Sequence, residues 1–226
     1  MTPAAEAALR SAEVVVGYRP YLDLVADLLD GKRTVASGMR EEIPRAQAAV
    51  DEALAGSSVV VISTGDAGIY GMAGLVLELL PAGAPVEVEV VPGITAASAA
   101  AACLGAPLMN DFAVISLSDL MTPLETIEKR LAAVAGADFV IALYNPRSHR
   151  RHEPLAQALT ILRAAREPST PVGIVRNALR AEQEVRITTL GELKEEEVDM
   201  LTILIIGNSQ TQIKDSRMIT ARGYRA

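Results

Sequence analysis

Apolar residues along the chain fall into short runs separated by longer stretches with helical spacing. Runs at 14–16, 59–62, 86–91, 113–117, 139–144, 172–175 and 201–206 are dominated by Val, Ile, Leu and Ala. Such short, β-branched runs predict buried strands. Between them, apolar positions recur on one face over 21–29, 43–54, 75–80, 95–104, 124–134 and 154–166, which predicts helices. Thr2-Pro3 marks a helix start over 4–11, with Thr2 as N-cap and Pro3 at the first helical position. A weak strand is expected around Val35. Charged and apolar residues alternate over 183–188, as in a half-exposed strand. The polar tail from Lys214 is expected to be loosely held.

The first half alternates strand and helix, the pattern of a parallel sheet with crossover helices. The second half ends in strands on short connections, which predicts a mixed sheet. The pattern restarts after Ala106-Pro107, so the boundary is expected within 105–111. The reading is an α/β protein of two α/β domains: 1–106 with a mostly parallel sheet, 111–212 with a mixed sheet, and a tail over 213–226.

Composition supports this class. Half of the residues are hydrophobic, only 3% are aromatic and there is no Trp, so the core must be built from Val, Leu, Ile and Ala. A net charge of −7 argues against a nucleic-acid partner. Cys103 is the one cysteine, so no intrachain disulfide can form, and no Cys/His group has zinc spacing. No metal is expected, and Cys103, among alanines, reads as a packed free thiol. The opening MTPAAEAALR is neither a signal nor a transit peptide, and no apolar run reaches membrane-spanning length. The expectation is a soluble cytoplasmic protein with no membrane partner.

Ligands of open parallel sheets bind beyond the carboxyl ends of strands. Four such ends are unusual here: STGDAGIYG at 63–71, VVPGITAAS at 90–98, ALYNPRSHRR at 142–151 and GIVRNALRAEQ at 173–183. Gly65, Gly68 and Gly93 let a ligand approach bare backbone, although a tight turn requires glycine too. Thr95 stands where a helix begins, and could cap it or bond a ligand. Neither the dinucleotide fingerprint nor the P-loop is present.

Together and in this order, the four loops resemble the tetrapyrrole (corrin/porphyrin) methyltransferase family, from about Ala4 to Gln212. The resemblance implies S-adenosylmethionine as cofactor, held in a cleft between two α/β domains. It implies cofactor contacts from Thr64, Gly65, Asp66 and Ile69, from Thr95 and Ala96, from Tyr144 and Asn145, and from Asn177 and Ala178. For Asp66 itself, a ligand contact and an ordering role for the loop both stay open. The stretches at 14–25, 142–148 and 171–185 look most like the branch that methylates C17 of a corrin precursor and contracts the ring, in cobalamin biosynthesis. A homodimer is implied as well. The sequence departs from the family at its start, where Met1 directly precedes the first helix. The family's first strand and its glycine-proline-glycine loop are not in the sequence as given.

A tetrapyrrole substrate carries ionised acetates and propionates. Arg147, Arg150 and Arg151 form a local basic group in an acidic protein and are the expected carboxylate ligands. Ring contraction would need proton transfers, for which Tyr18, Ser118 and His149 are weak candidates; His149 and His152 otherwise read as surface residues. Two other classes fit parts of the pattern: a different α/β nucleotide-binding enzyme, and a non-catalytic tetrapyrrole binder.

Overall fold

The computed structural model describes residues 1–148 and 151–224. The chain forms two compact units, Met1–Thr95 and Ala96–Ala226.

The first unit contains α1 (Pro3–Ser11), β1 (Val14–Tyr18), α2 (Arg19–Asp23), β2 (Arg33–Ser37), α3 (Glu42–Leu54), β3 (Val59–Val61) and α4 (Ala73–Leu79). Thr2 caps α1 as expected: its Oγ1 accepts the Ala5 N–H at 3.2 Å. The sheet is parallel, in the order β2-β1-β3. Strand parity divides its core. Val15 faces Leu9, Ala12, Leu22 and Leu28, whereas Val14 and Val16 face Ala49 of α3. The expected helix over 21–29 is broken; α2 ends at Asp23 and a 3-10 turn over Ala26–Leu28 carries Leu28 into the same core.

Two further expectations for this unit differ from the structure. Residues 59–62 read as a strand covered on both faces, but Val59, Val60 and Val61 are only half-buried. β3 lies at a sheet edge, with β1 on one side only. Residues 86–91 alternate Val and Glu like a strand, yet no backbone hydrogen bond joins them to another strand among the described residues. Pairing, not alternation, defines a strand.

The second unit contains α5 (Ala96–Leu104), β4 (Gly105–Ala106), β5 (Phe112–Ser116), α6 (Leu124–Gly136), β6 (Val140–Tyr144), α7 (Glu153–Ala165), β7 (Pro171–Arg176), β8 (Glu184–Thr189), β9 (Thr202–Ile206), β10 (Thr211–Lys214) and β11 (Arg217–Thr220). Its main sheet is mixed, in the order β5-β6-β9-β7-β8, as the sequence predicts. Ile141, Leu143, Leu204 and Ile206 face α6 and α7. Their alternates Val140, Ala142, Ile203 and Ile205 face α5.

The units divide at Thr95/Ala96, ahead of the expected boundary at 105–111. The reason is α5, whose Ala97, Ala100 and Leu104 pack into the core of the second unit. Its small residues allow close approach. A Cβ on Gly173 of β7 would lie 2.3 Å from Leu104 Cδ1. The tail also differs from expectation. β10 and β11 form an antiparallel hairpin, and β11 pairs with β4. Asp215 and Ser216 both take left-handed φ in a two-residue turn. Met218 and Thr220 are fully buried, so residues 211–220 belong to the second unit rather than to a loose tail.

Candidate functional site

In the first unit, the loop after β3 returns through Ser63–Gly71 to α4. Its organiser is Asp66. Oδ1 accepts the Gly68 N–H at 2.8 Å, and Oδ2 accepts the Gly93 N–H at 2.9 Å. These bonds, Gly93 first and then Gly68, hold the carboxyl below its ordinary value against a smaller opposing effect of burial. The side chain therefore clasps two loops together. The loops touch backbone to backbone: a Cβ on Gly93 would lie 2.0 Å from Gly65 O. Gly65 takes φ +83, which favours glycine. Ser63 Oγ accepts the Met72 N–H at 3.0 Å and closes the loop onto α4. Tyr70 is held at φ +55, and Ile69, Tyr70 and Ile94 stay exposed. An aromatic residue in that conformation is strained, and such strain marks functional loops. Thr64, Gly65, Asp66 and Ile69 thus lie in one loop, and Asp66 joins it to Gly93, two residues before Thr95.

In the second unit, side chains do the joining. Tyr144, at the end of β6, accepts the Ala97 N–H on its hydroxyl at 2.7 Å and so meets one of the free donors at the start of α5. Asn145 takes φ +49, and its Nδ2 donates to Ser116 Oγ at 3.0 Å. The same oxygen accepts the Ser118 N–H at 3.2 Å. Asn177 takes φ +50 and donates its N–H to Leu201 O at 3.1 Å. Beyond it, Leu179 is exposed at φ +58, with its N–H on Gln183 Oε1 at 2.7 Å. Cys103 Sγ donates to that oxygen at 3.3 Å, so the thiol is half-buried and ties a loop. Ala178 packs against the α5-side core.

Two of the arginines expected to bind carboxylates have partners within the chain. Arg151 donates from Nη1 to Leu117 O at 2.5 Å and from Nη2 to Asn145 O at 2.8 Å, and its Nε lies 3.7 Å from Asp119 Oδ1. Burial draws its pKa down, with Asp119 opposing. It braces the loops after β5 and β6. Arg147 donates from Nε to His152 Nδ1 at 2.7 Å and from Nη1 to Glu195 O at 3.1 Å, which directs it toward the turn at 195–198. Arg150 and His149 lie outside the described residues. Nearby, Asp199 accepts from Arg176 Nε at 2.8 Å; burial raises its pKa, but bonds from Arg176, Thr202 and Leu201 outweigh it and leave the carboxyl below its ordinary value.

Tyr18 ends β1 and stacks edge-on against Tyr21, with ring centroids 5.1 Å apart. Arg45 of α3, which no sequence motif marks, lies beside it. Ser116 and Gln183 also act through loop geometry that no spacing rule reveals. A hollow of about 250 Å³ lined by Asn110, Asp111, Asp138 and Asn208 lies at the amino ends of β5 and β6, the opposite strand ends from the loops after β5 and β6. Among the described residues no group of three His, Cys, Asp or Glu could hold a metal, and no helix is long and apolar enough to cross a membrane.

Residues 1–194 match the family described as Tetrapyrrole (Corrin/Porphyrin) Methylases. The chain belongs to this family. It is 52% identical over 225 residues to a probable cobalt-factor III C(17)-methyltransferase of Salmonella typhimurium, covering 99% of this chain and 93% of that protein. It is 43% identical over 217 residues to a precorrin-3B C(17)-methyltransferase of Sinorhizobium sp, covering 94% and 85%. The crystal structure of the methyltransferase CobJ superposes with TM-score 0.93 at 39% identity, covering 98% of this chain and 93% of that one. A uroporphyrin-III C-methyl transferase from Thermus thermophilus complexed with S-adenyl homocysteine gives TM-score 0.69 at 26% identity, covering 92% and 90%.

Proposed function

We propose that this tetrapyrrole methylase is an S-adenosylmethionine-dependent C-methyltransferase that methylates C17 of a corrin precursor and contracts its ring. Membership of the family and the names of its relatives support the reading. The observation that carries it is the Asp66 clasp, which holds two glycine-bearing loops backbone to backbone and leaves apolar side chains uncovered beside them. Such a surface fits a nucleoside, whose rim needs backbone donors and acceptors and whose faces need apolar cover.

When bound, S-adenosylmethionine supplies a methyl group on a sulfonium that departs as a thioether. Everything else falls to this chain. Thr64, Gly65 and Ile69 offer main-chain and side-chain contacts, and Asp66 fixes their loop. Ala96, Tyr144, Asn145, Asn177 and Ala178 of the second unit are proposed contacts by family resemblance, as is Thr95 of the first. Fixed positioning of donor and acceptor can lower a barrier by about 7–11 kcal/mol.

Incubation with S-adenosylmethionine and either precorrin-3B or cobalt-factor III tests the reading by mass spectrometry. One added methyl on either substrate, with release of S-adenosylhomocysteine, is expected. Failure to methylate both, by folded protein that binds the cofactor, would sink it. The two substrates also decide which metal state the enzyme accepts.

A further inference from the structure

Arg45 is a buried cation with no carboxylate partner among the described residues. It lies on α3 with 6% of its surface exposed. Nε donates to Ser37 Oγ at 2.6 Å, and Nη2 donates to Gly38 O at 2.8 Å. Nη1 meets only the thioether of Met72, at 3.6 Å, and the guanidinium carbon lies 5.7 Å from the centre of the Tyr18 ring. Among the described residues no acid lies within ion-pair distance of it. Arg166, whose side chain is as deeply buried, pairs with Asp138. A buried charge met only by neutral groups is costly, and an incoming anion relieves that cost.

The position is as informative as the charge. Tyr18 ends β1, Ser37 ends β2, and Met72 is tied through its N–H to Ser63, two residues past the end of β3. Arg45 therefore lies beneath the carboxyl ends of all three parallel strands, beside the Asp66 loop. Its rim carries exposed Met39 and an exposed Arg40 held at φ +65. A cation below an apolar rim suits a ligand with an apolar body and ionised arms.

We propose that Arg45 is a carboxylate-binding residue that takes one ionised side chain of the tetrapyrrole; this rests on the proposed function. Nη1 is the binding edge. Sulfur is a weak acceptor on an adaptable side chain, so Met72 can swing aside and give up its place to a carboxylate oxygen. The planar fork then grips the carboxylate through Nη1 while Nε and Nη2 keep the fork fixed. The cofactor also carries a carboxylate, and the test separates the two sources.

Uroporphyrin, a tetrapyrrole octacarboxylate, and S-adenosylhomocysteine serve as probes in equilibrium titrations of wild type, Arg45→Gln and Arg45→Lys. Arg45→Gln should weaken uroporphyrin at least tenfold and leave S-adenosylhomocysteine within twofold. Arg45→Lys, which keeps the charge and is the safer variant for folding, should weaken uroporphyrin severalfold. Met72→Ala should bind uroporphyrin at least as well as wild type. Wild-type uroporphyrin affinity in folded Arg45→Lys and Arg45→Gln would overturn the proposal. A loss confined to S-adenosylhomocysteine would overturn it too, by assigning Arg45 to the cofactor. If the wild type binds no tetrapyrrole at all, the proposed function itself fails, an outcome distinct from equal binding by wild type and variants.

Discussion

In the first unit, the loops after β3 and before α5 meet main chain to main chain, and one carboxylate closes them. In the second, the loops after β5 and β6 are spaced by side chains: Arg151 reaches Leu117 O and Asn145 O, Asn145 reaches Ser116, and Tyr144 reaches the start of α5. The difference follows from the sheets. β3 is a half-buried edge of a three-stranded sheet with little core around it. The five-stranded sheet buries β6, β7 and β9 almost completely, so long polar side chains can be anchored at its ends. A backbone-built site tolerates no added atoms. A brace-built site tolerates them but depends on each donor. Those two vulnerabilities can be tested separately.

The largest effect is expected from Gly93→Ala. Its Cβ would stand 2.0 Å from Gly65 O, a backbone atom that cannot rotate away. The loops must part, which breaks the Asp66–Gly93 bond. About 3 kcal/mol of stability should be lost, at the top of the usual range for overpacking. S-adenosylmethionine affinity, read by calorimetry, should fall more than tenfold. Gly173→Ala in the second unit is the matched comparison. Its Cβ meets the end of the Leu104 side chain, which can shift, so about 1–2 kcal/mol is expected with cofactor affinity kept. Equal effects of the two changes on cofactor binding would erase the contrast between the units.

Arg151→Met comes next. It removes two charged hydrogen bonds to carbonyl oxygens and should cost about 2–3 kcal/mol in chemical denaturation. If Arg151 is only a brace, the loss in tetrapyrrole affinity should not depend on ionic strength. A loss that shrinks steeply with salt would return it to the role of a carboxylate ligand.

The same contrast explains what could be read from the sequence. Strand ends and glycine-rich loops were legible because buried strands need Val and Ile, and close backbone approach needs Gly65 and Gly93. Braces were not, because Arg147 and Arg151 look alike in sequence while the structure gives them different acceptors. Arg45 did leave a signal. Arg45, Ala46, Ala49 and Val50 share one face of α3 and are all buried, so a cation stands on an apolar face. The tail hairpin left one too, in Asp215-Ser216 between two alternating segments. Residues 86–91 misled because a strand also needs a neighbour, which alternation cannot supply.

The smallest effect concerns the clasp itself. Asp66→Asn keeps one acceptor oxygen but turns an amide toward a backbone N–H. About 1–2 kcal/mol should be lost, because the group is partly solvated and the loop can relax. The change should also alter pH dependence. Asp66 is held below the ordinary carboxylate value by the Gly93 and Gly68 N–H groups. A carboxyl with a lowered folded pKa contributes stability that is fully present above its unfolded value of about 3.9 and is lost as pH falls through the folded one. Wild type should therefore lose stability to chemical denaturation in acid beyond what Asp66→Asn loses, with the two curves parallel above pH ~5. Parallel curves down to the acid limit would mean that the charge on Asp66 contributes nothing to the clasp. The backbone contact between Gly65 and Gly93 would then hold the loops by itself.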